Sequence, residues 1–91
     1  VNTRTSIGNH VILNTKSSVD HDCTIADYVH IAPGATICGG VKVGKGAFVG
    51  AGSTILPNLI IGENVIIGAG AVVTQNIASN TRVKGIPAKE F

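Results

Sequence analysis

From Ile7 to Val73 an aliphatic residue returns at every sixth position: Ile7, Leu13, Val19, Ile25, Ile31, Ile37, Val43, Val49, Ile55, Ile61, Ile67 and Val73. Two positions before each stands a small or aliphatic residue, as at Thr5, Val11, Cys23, Val29, Ala35 and Ala47. Three positions after, glycine or asparagine dominates, at Gly34, Gly40, Gly46, Gly52, Asn58, Asn64, Gly70 and Asn76. A six-residue period predicts a parallel β-helix in which each short strand is followed by a tight corner. The branched residue points inward, the small residue packs beside it, and glycine or asparagine takes the positive φ of the corner. Three such hexads, one to a side, close a triangular coil. Residues one coil apart then stack at about 4.8 Å, so four coils make a prism roughly 19 Å tall.

The phase fails at Ser79, where an aliphatic is due, and Ile77 and Val83 fall out of register. The prism is therefore expected over residues 1–76, with residues 77–91 leaving it to add a terminal strand and loop. Gly85 permits a sharp turn there, and Pro87 forbids a continuing ladder. At the other end Val1 to Ser6 run into the first coil without a cap, although repeat folds need one. The sequence also has no methionine. Excision of an initiator before Val1 would explain the missing methionine equally well but not the uncovered edge, so a further domain is expected ahead of this chain.

Composition narrows the choice of function. A net charge of +2 is too small and too scattered for nucleic acid or an anionic membrane, and three aromatic residues make base stacking an unpromising mode. Polar corners interrupt every apolar run well short of the roughly 18 residues of a membrane span. The polar start, with Asn2, Arg4 and Ser6, is no signal peptide. Ninety-one residues form one domain with a modest core, so the flat outer faces of a narrow prism favour association with further copies. Cys23 and Cys38 are not separated by a whole coil, so they are expected as unpaired thiols suited to a reducing cytoplasm.

Titratable residues gather in the first coil: His10, Lys16, Asp20, His21 and Asp22. Asp20-His21-Asp22-Cys23 is the strongest local signal, because a histidine beside carboxylates gains a fixed tautomer and a stabilised imidazolium, the needs of a general base. One coil above His21 comes Gly39, which leaves open space and an approachable backbone N–H for a reacting carbonyl, and above that comes Pro57. His30 follows half a coil later, so the two histidines face opposite sides of the prism. Asn14, close to one full coil before His30, shares a corner with it. A site using all three must form between subunits, which predicts a symmetric homotrimer. The spacings among His10, His21 and His30 do not resemble the close histidine pair of hexapeptide carbonic anhydrases, so no metal is expected. Pro33, Ala51 and Ala69 stack as a smooth wall flanked by glycines, with Arg82, Lys84 and Lys89 at its top available to phosphates. The competing reading is a rod without chemistry, either an ice-binding face, which would need a flat array of threonines that is absent, or a scaffold.

The repeat closely resembles the left-handed β-helix of hexapeptide acyltransferases, and the left hand is implied by that resemblance, since ordinary parallel crossovers are right-handed. The runs Leu13-Asn14-Thr15, Asp20-His21-Asp22-Cys23, Val29-His30-Ile31, Leu56-Pro57-Asn58-Leu59 and Gly85-Ile86-Pro87-Ala88 narrow it. They resemble sugar acetyltransferases related to sialic acid O-acetyltransferase, and most nearly those that N-acetylate UDP-4-amino-sugars on the way to bacillosamine. The resemblance implies an all-β acetyl-CoA-dependent enzyme with His21 as base, Asp22 as its orienting partner, Gly39 as oxyanion donor and Asn14 placing the acceptor. It further implies that His30, Ala51 and Ala69 line the acetyl-CoA groove between protomers, with Lys84 and Gly85 at its upper end. Asp22 departs from that family, whose close members carry glutamate there. The nucleotide-sugar half of such a site would lie in the preceding domain. O-acetylation of sialic acid or another sugar is the alternative within the class.

Overall fold

The computed structural model describes residues 3–91, so of the run Val1 to Ser6 the first two residues lie outside it. Twelve two-residue strands follow the six-residue period and sort into three parallel sheets. The first sheet stacks β1 (Ser6–Ile7), β4 (Thr24–Ile25), β7 (Lys42–Val43) and β10 (Ile60–Ile61). The second holds β2 (Ile12–Leu13), β5 (His30–Ile31), β8 (Phe48–Val49) and β11 (Ile66–Ile67), and the third β3 (Ser18–Val19), β6 (Thr36–Ile37), β9 (Thr54–Ile55) and β12 (Val72–Val73). Every pairing among these strands is parallel and joins residues one full coil apart, as with Ile7 on Ile25 and Ile31 on Val49. The result is a left-handed parallel β-helix of about four triangular coils.

The second residue of each strand points in. From Val19 to Val73 these positions are buried, while Ile7 and Leu13 stay 36% and 37% exposed because no described coil lies beneath them. Ser53, in the small-residue column, is buried with its hydroxyl donating to the Gly50 carbonyl at 2.7 Å, so its polar atom is satisfied inside the core.

Two expectations change. The corner residues at positive φ are glycine or asparagine only from Gly34 upward; below it Arg4, His10, Lys16, Asp22 and Tyr28 hold the same conformation, with φ between 56° and 62°. The closed shape of the coil dictates the corner, and the residue complies. Second, the chain does not leave the prism directly after residue 76. Ile77 bridges Ile61, and β13 (Arg82–Lys84) pairs parallel with β11, placing Arg82 on Ile66 and Val83 on Ile67. Both offsets fall two residues short of a regular coil, so a tighter circuit carries the core on through Ile77 and Val83. The chain then turns at Gly85 (φ 95°) and returns as β14 (Lys89–Glu90), antiparallel to β13. This partial fifth circuit and its hairpin lengthen the molecule to 32 Å, against 21 Å across.

Candidate active site

His21 sits on the corner between the third and first sheets, together with Asp20, Asp22, Cys38, Gly39, Gly40, Pro57 and Asn58, around an open cleft of about 340 Å³. The corner presents the histidine because its neighbours are tied down. Asp20 Oδ1 accepts the His21 backbone N–H at 2.8 Å, and the His21 carbonyl accepts the Gly40 N–H at 3.0 Å. The ring is set from both sides. Its Nδ1 lies 3.0 Å from Asp22 Oδ2, and the ring rests against Gly39, where an added Cβ would come within 2.7 Å of Cε1 and 2.9 Å of Nε2. The space above His21 is therefore filled by its own imidazole, and glycine is required at 39 to let the ring lie there. The shorter Asp22 carboxylate reaches Nδ1 directly, and its backbone, at φ 59°, is in a region that aspartate tolerates better than most residues.

Asp22 is also gripped from the coil below by Arg4, whose Nε donates to Oδ1 at 2.6 Å and whose Nη2 donates to Oδ2 at 3.0 Å. Hydrogen bonding to Arg4 first, and to His21 second, holds the Asp22 carboxyl well below the usual carboxylate range. An ionised carboxylate can only accept, so Nδ1 of His21 carries the hydrogen and Nε2 of the neutral ring keeps its lone pair toward the cleft. Cys38 lines the same cleft, but burial, and then Asp20, push its thiol above the ordinary value, which keeps it protonated at neutral pH. Cys23 is buried and free, its Sγ 3.1 Å from the Cys38 carbonyl.

Asn14 and His30 meet as their spacing predicts, Asn14 Nδ2 to His30 Nε2 at 2.8 Å, and the His30 ring packs edge-on against Phe48 with centroids 5.0 Å apart. They belong to the second sheet and its edge, whereas His21 stands on the corner opposite that sheet, so one chain does not bring the two groups together. Ala51 and Ala69 are exposed on the corner between the second and third sheets, where Gly52 N–H donates to the Pro33 carbonyl and Gly70 N–H to that of Ala51. Lys84 stands over Gly68 at the top of this wall, and Gly85 forms the turn beside it. Arg82 and Lys84 both lie over the Phe91 ring, at 5.1 and 4.6 Å from its centroid, an aromatic support that spacing does not reveal. Arg4 is the other contact at these groups that spacing alone does not bring to notice, although it stands one coil before Asp22. His10 is stacked on Tyr28 at 5.2 Å, away from both groups.

The sequence matches the model of the bacterial transferase hexapeptide (six repeats) over residues 4–39 and 40–75. It is 45% identical over 51 residues to GDP-perosamine N-acetyltransferase of Escherichia coli O157:H7, an alignment covering 56% of this chain and 23% of that protein. A histidine-to-asparagine mutant of perosamine N-acetyltransferase from Caulobacter crescentus, solved with CoA and GDP-perosamine, superposes with a TM-score of 0.95 at 38% identity, over 96% of this chain and 41% of the other. The acetyltransferase domain of PglB from Neisseria gonorrhoeae FA1090, in complex with acetyl coenzyme A, gives 0.97 at 36% identity, over 100% and 45%. The chain thus spans less than half the length of each of these proteins. Repeat, register and family match agree: the chain belongs to the bacterial transferase hexapeptide family.

Proposed function

We propose that this chain is the acetyl-transfer portion of an enzyme that moves an acetyl group from acetyl-CoA to the amino group of a nucleotide-linked amino sugar. The observation that carries the reading is the His21–Asp22 pair, seated on Gly39 at an open cleft, in a chain similar to perosamine and PglB acetyltransferases solved with CoA or acetyl-CoA. In this reading Nε2 of His21 takes the proton of the amine as the nitrogen lone pair forms the bond to the thioester carbonyl. The tetrahedral oxyanion is held by the Gly39 N–H, and its collapse breaks the C–S bond. His21 then returns the proton to the departing thiolate of CoA. No cysteine nucleophile is needed, in keeping with the protonated Cys38.

Asn14 and His30 complete the site from a neighbouring copy. The outward column of the second sheet supports such packing, since Ile12, Phe48 and Ile66 are 51%, 38% and 45% exposed and flank His30. Three copies, each setting its His21 corner against the Asn14–His30 edge of the next, form a symmetric trimer with three equivalent sites. Ala51 and Ala69 then line the pantetheine arm, with Lys84 and Gly85 near the CoA phosphates. Reduced thiols at Cys23 and Cys38 and the use of acetyl-CoA support a cytoplasmic location. The full-length protein is tested with acetyl-CoA against UDP-4-amino-sugars, GDP-perosamine and free sialic acid. Turnover of an amino sugar, lost by roughly 10²- to 10⁴-fold in His21→Ala, is the expected result. Turnover of sialic acid alone makes the enzyme an O-acetyltransferase, and absence of saturable acetyl-CoA binding makes the chain a scaffold.

A further inference from the structure

We infer that Arg4 is a positioning residue for the transfer, fixing the Asp22 carboxylate on Nδ1 of His21 and sharing its charge, and so setting the pH range in which His21 accepts a proton. This rests on the proposed role of His21 as the base. Three hydrogen bonds define the arrangement: Arg4 Nε to Asp22 Oδ1 at 2.6 Å, Arg4 Nη2 to Oδ2 at 3.0 Å, and His21 Nδ1 to the same Oδ2 at 3.0 Å. The two-pronged grip fixes the plane of the carboxylate, not merely its distance, because a guanidinium donates along two parallel directions. Without it a short, exposed side chain on a corner residue is free to rotate about χ1 and χ2, and the single contact to His21 is all that restrains it.

The charge has a second consequence. A lone carboxylate beside an imidazole favours the imidazolium, the form that cannot accept a proton. With Arg4 drawing on both oxygens, Asp22 keeps Nδ1–H in place while exerting less pull toward the charged ring. Among the remaining groups around the ring, Asp20 adds a second negative charge while its Oδ1 accepts the backbone N–H of His21, and this contribution is the same in the wild type and in the Arg4 variants. Cys38 is a neutral thiol, and Gly39, Gly40, Pro57 and Asn58 from the coils above bring no charge. Arg4 sits on the coil beneath, in the column of Asp22, Gly40 and Asn58, and among the described residues it is the cation in contact with the pair. Because the Arg4–Asp22 pair is exposed, its removal leaves the fold intact.

The test compares Arg4→Gln, Arg4→Lys and His21→Ala in the full-length protein, by the pH profile of kcat/KM for acetyl transfer and by long-range ¹H–¹⁵N correlation spectra of the histidine rings. Arg4→Gln is expected to move the acid limb of the profile to higher pH, with about a threefold loss on that limb for each half-unit of displacement. In the spectra it replaces the single Nδ1–H tautomer of His21 with a mixture. Arg4→Lys restores the limb, since the charge returns, but not the single tautomer, since the fork does not. A profile and spectrum of Arg4→Gln that both match the wild type overturn the inference. If His21→Ala keeps full activity, His21 is not the base and the pH role falls with that reading, while the ring spectra still decide whether Arg4 positions the pair.

Discussion

The prism up to the Tyr28 corner and the prism from Gly34 upward follow one six-residue rule and differ in what they do with it. In the upper coils the inward aliphatics are buried, and the positive-φ corners belong to Gly34, Gly40, Gly46, Gly52, Asn58, Asn64 and Gly70. In the lower coils Ile7 and Leu13 are partly exposed, and the same corners are filled by Arg4, His10, Lys16, Asp22 and Tyr28. Such a conformation costs a side-chain-bearing residue roughly 1 to 2 kcal/mol. The upper coils are thus built for stability. The lower ones give some of it up to place charged and ring-bearing groups on corners, where they project from the prism and stack on residues one coil away. Asp22 shows why: from its corner position the carboxylate meets both Arg4 below and His21 beside it.

The comparison can be broken in several ways, beginning with the largest effect. His21→Ala is expected to cut acetyl transfer by roughly 10²- to 10⁴-fold and to leave the thermal midpoint unchanged, because the ring is exposed. A drop in that midpoint would mean that the lower corner is structural. In urea titrations Ile55→Ala, in a fully buried position, should lose about 2 to 5 kcal/mol, and Ile7→Ala about 1 kcal/mol or less. Equal losses would erase the distinction between the coils.

Gly39→Ala should lower kcat by about 10- to 100-fold through displacement of the His21 ring, since a shift of an ångström at a reacting group has an effect of that order. Its crystal structure should show the imidazole rotated away, and an unmoved ring would sink the explanation. Smallest is Lys16→Gly. Relief of the positive φ at an exposed corner side chain should raise stability by up to about 1 kcal/mol, while the corresponding change from Gly52 to alanine should lower it.

The regular part of the fold is legible because its rule is local and repeated: each of the positions from Ile7 to Val73 takes the inward place that its spacing assigns. Asn14 and His30 are legible for the same reason, as an offset close to one coil lands them on one edge. The fifth circuit is not. Its shortened offset reads in sequence as a broken phase, and nothing short of the paired strands distinguishes a tightened coil from a departing tail. The fit of His21 on Gly39 is hidden because it depends on a rotamer, not on spacing. Arg4 is hidden by context: its column follows from the period, but a single arginine near the start of a polar run draws no notice until its partner is seen.

The hairpin at the far end bears on how copies of this protein can meet. A solenoid that finished on a regular coil would offer three bare parallel edges, each a template for the next molecule, and could grow into a filament. Here β14 runs against the grain of the second sheet, Ile77 covers part of the first, and the backbone of Gly85 and Ala88 bonds to Val72 on the third. A copy stacked end to end there meets a hairpin instead of a regular coil, so the three parallel ladders do not run on from one molecule into the next at that end.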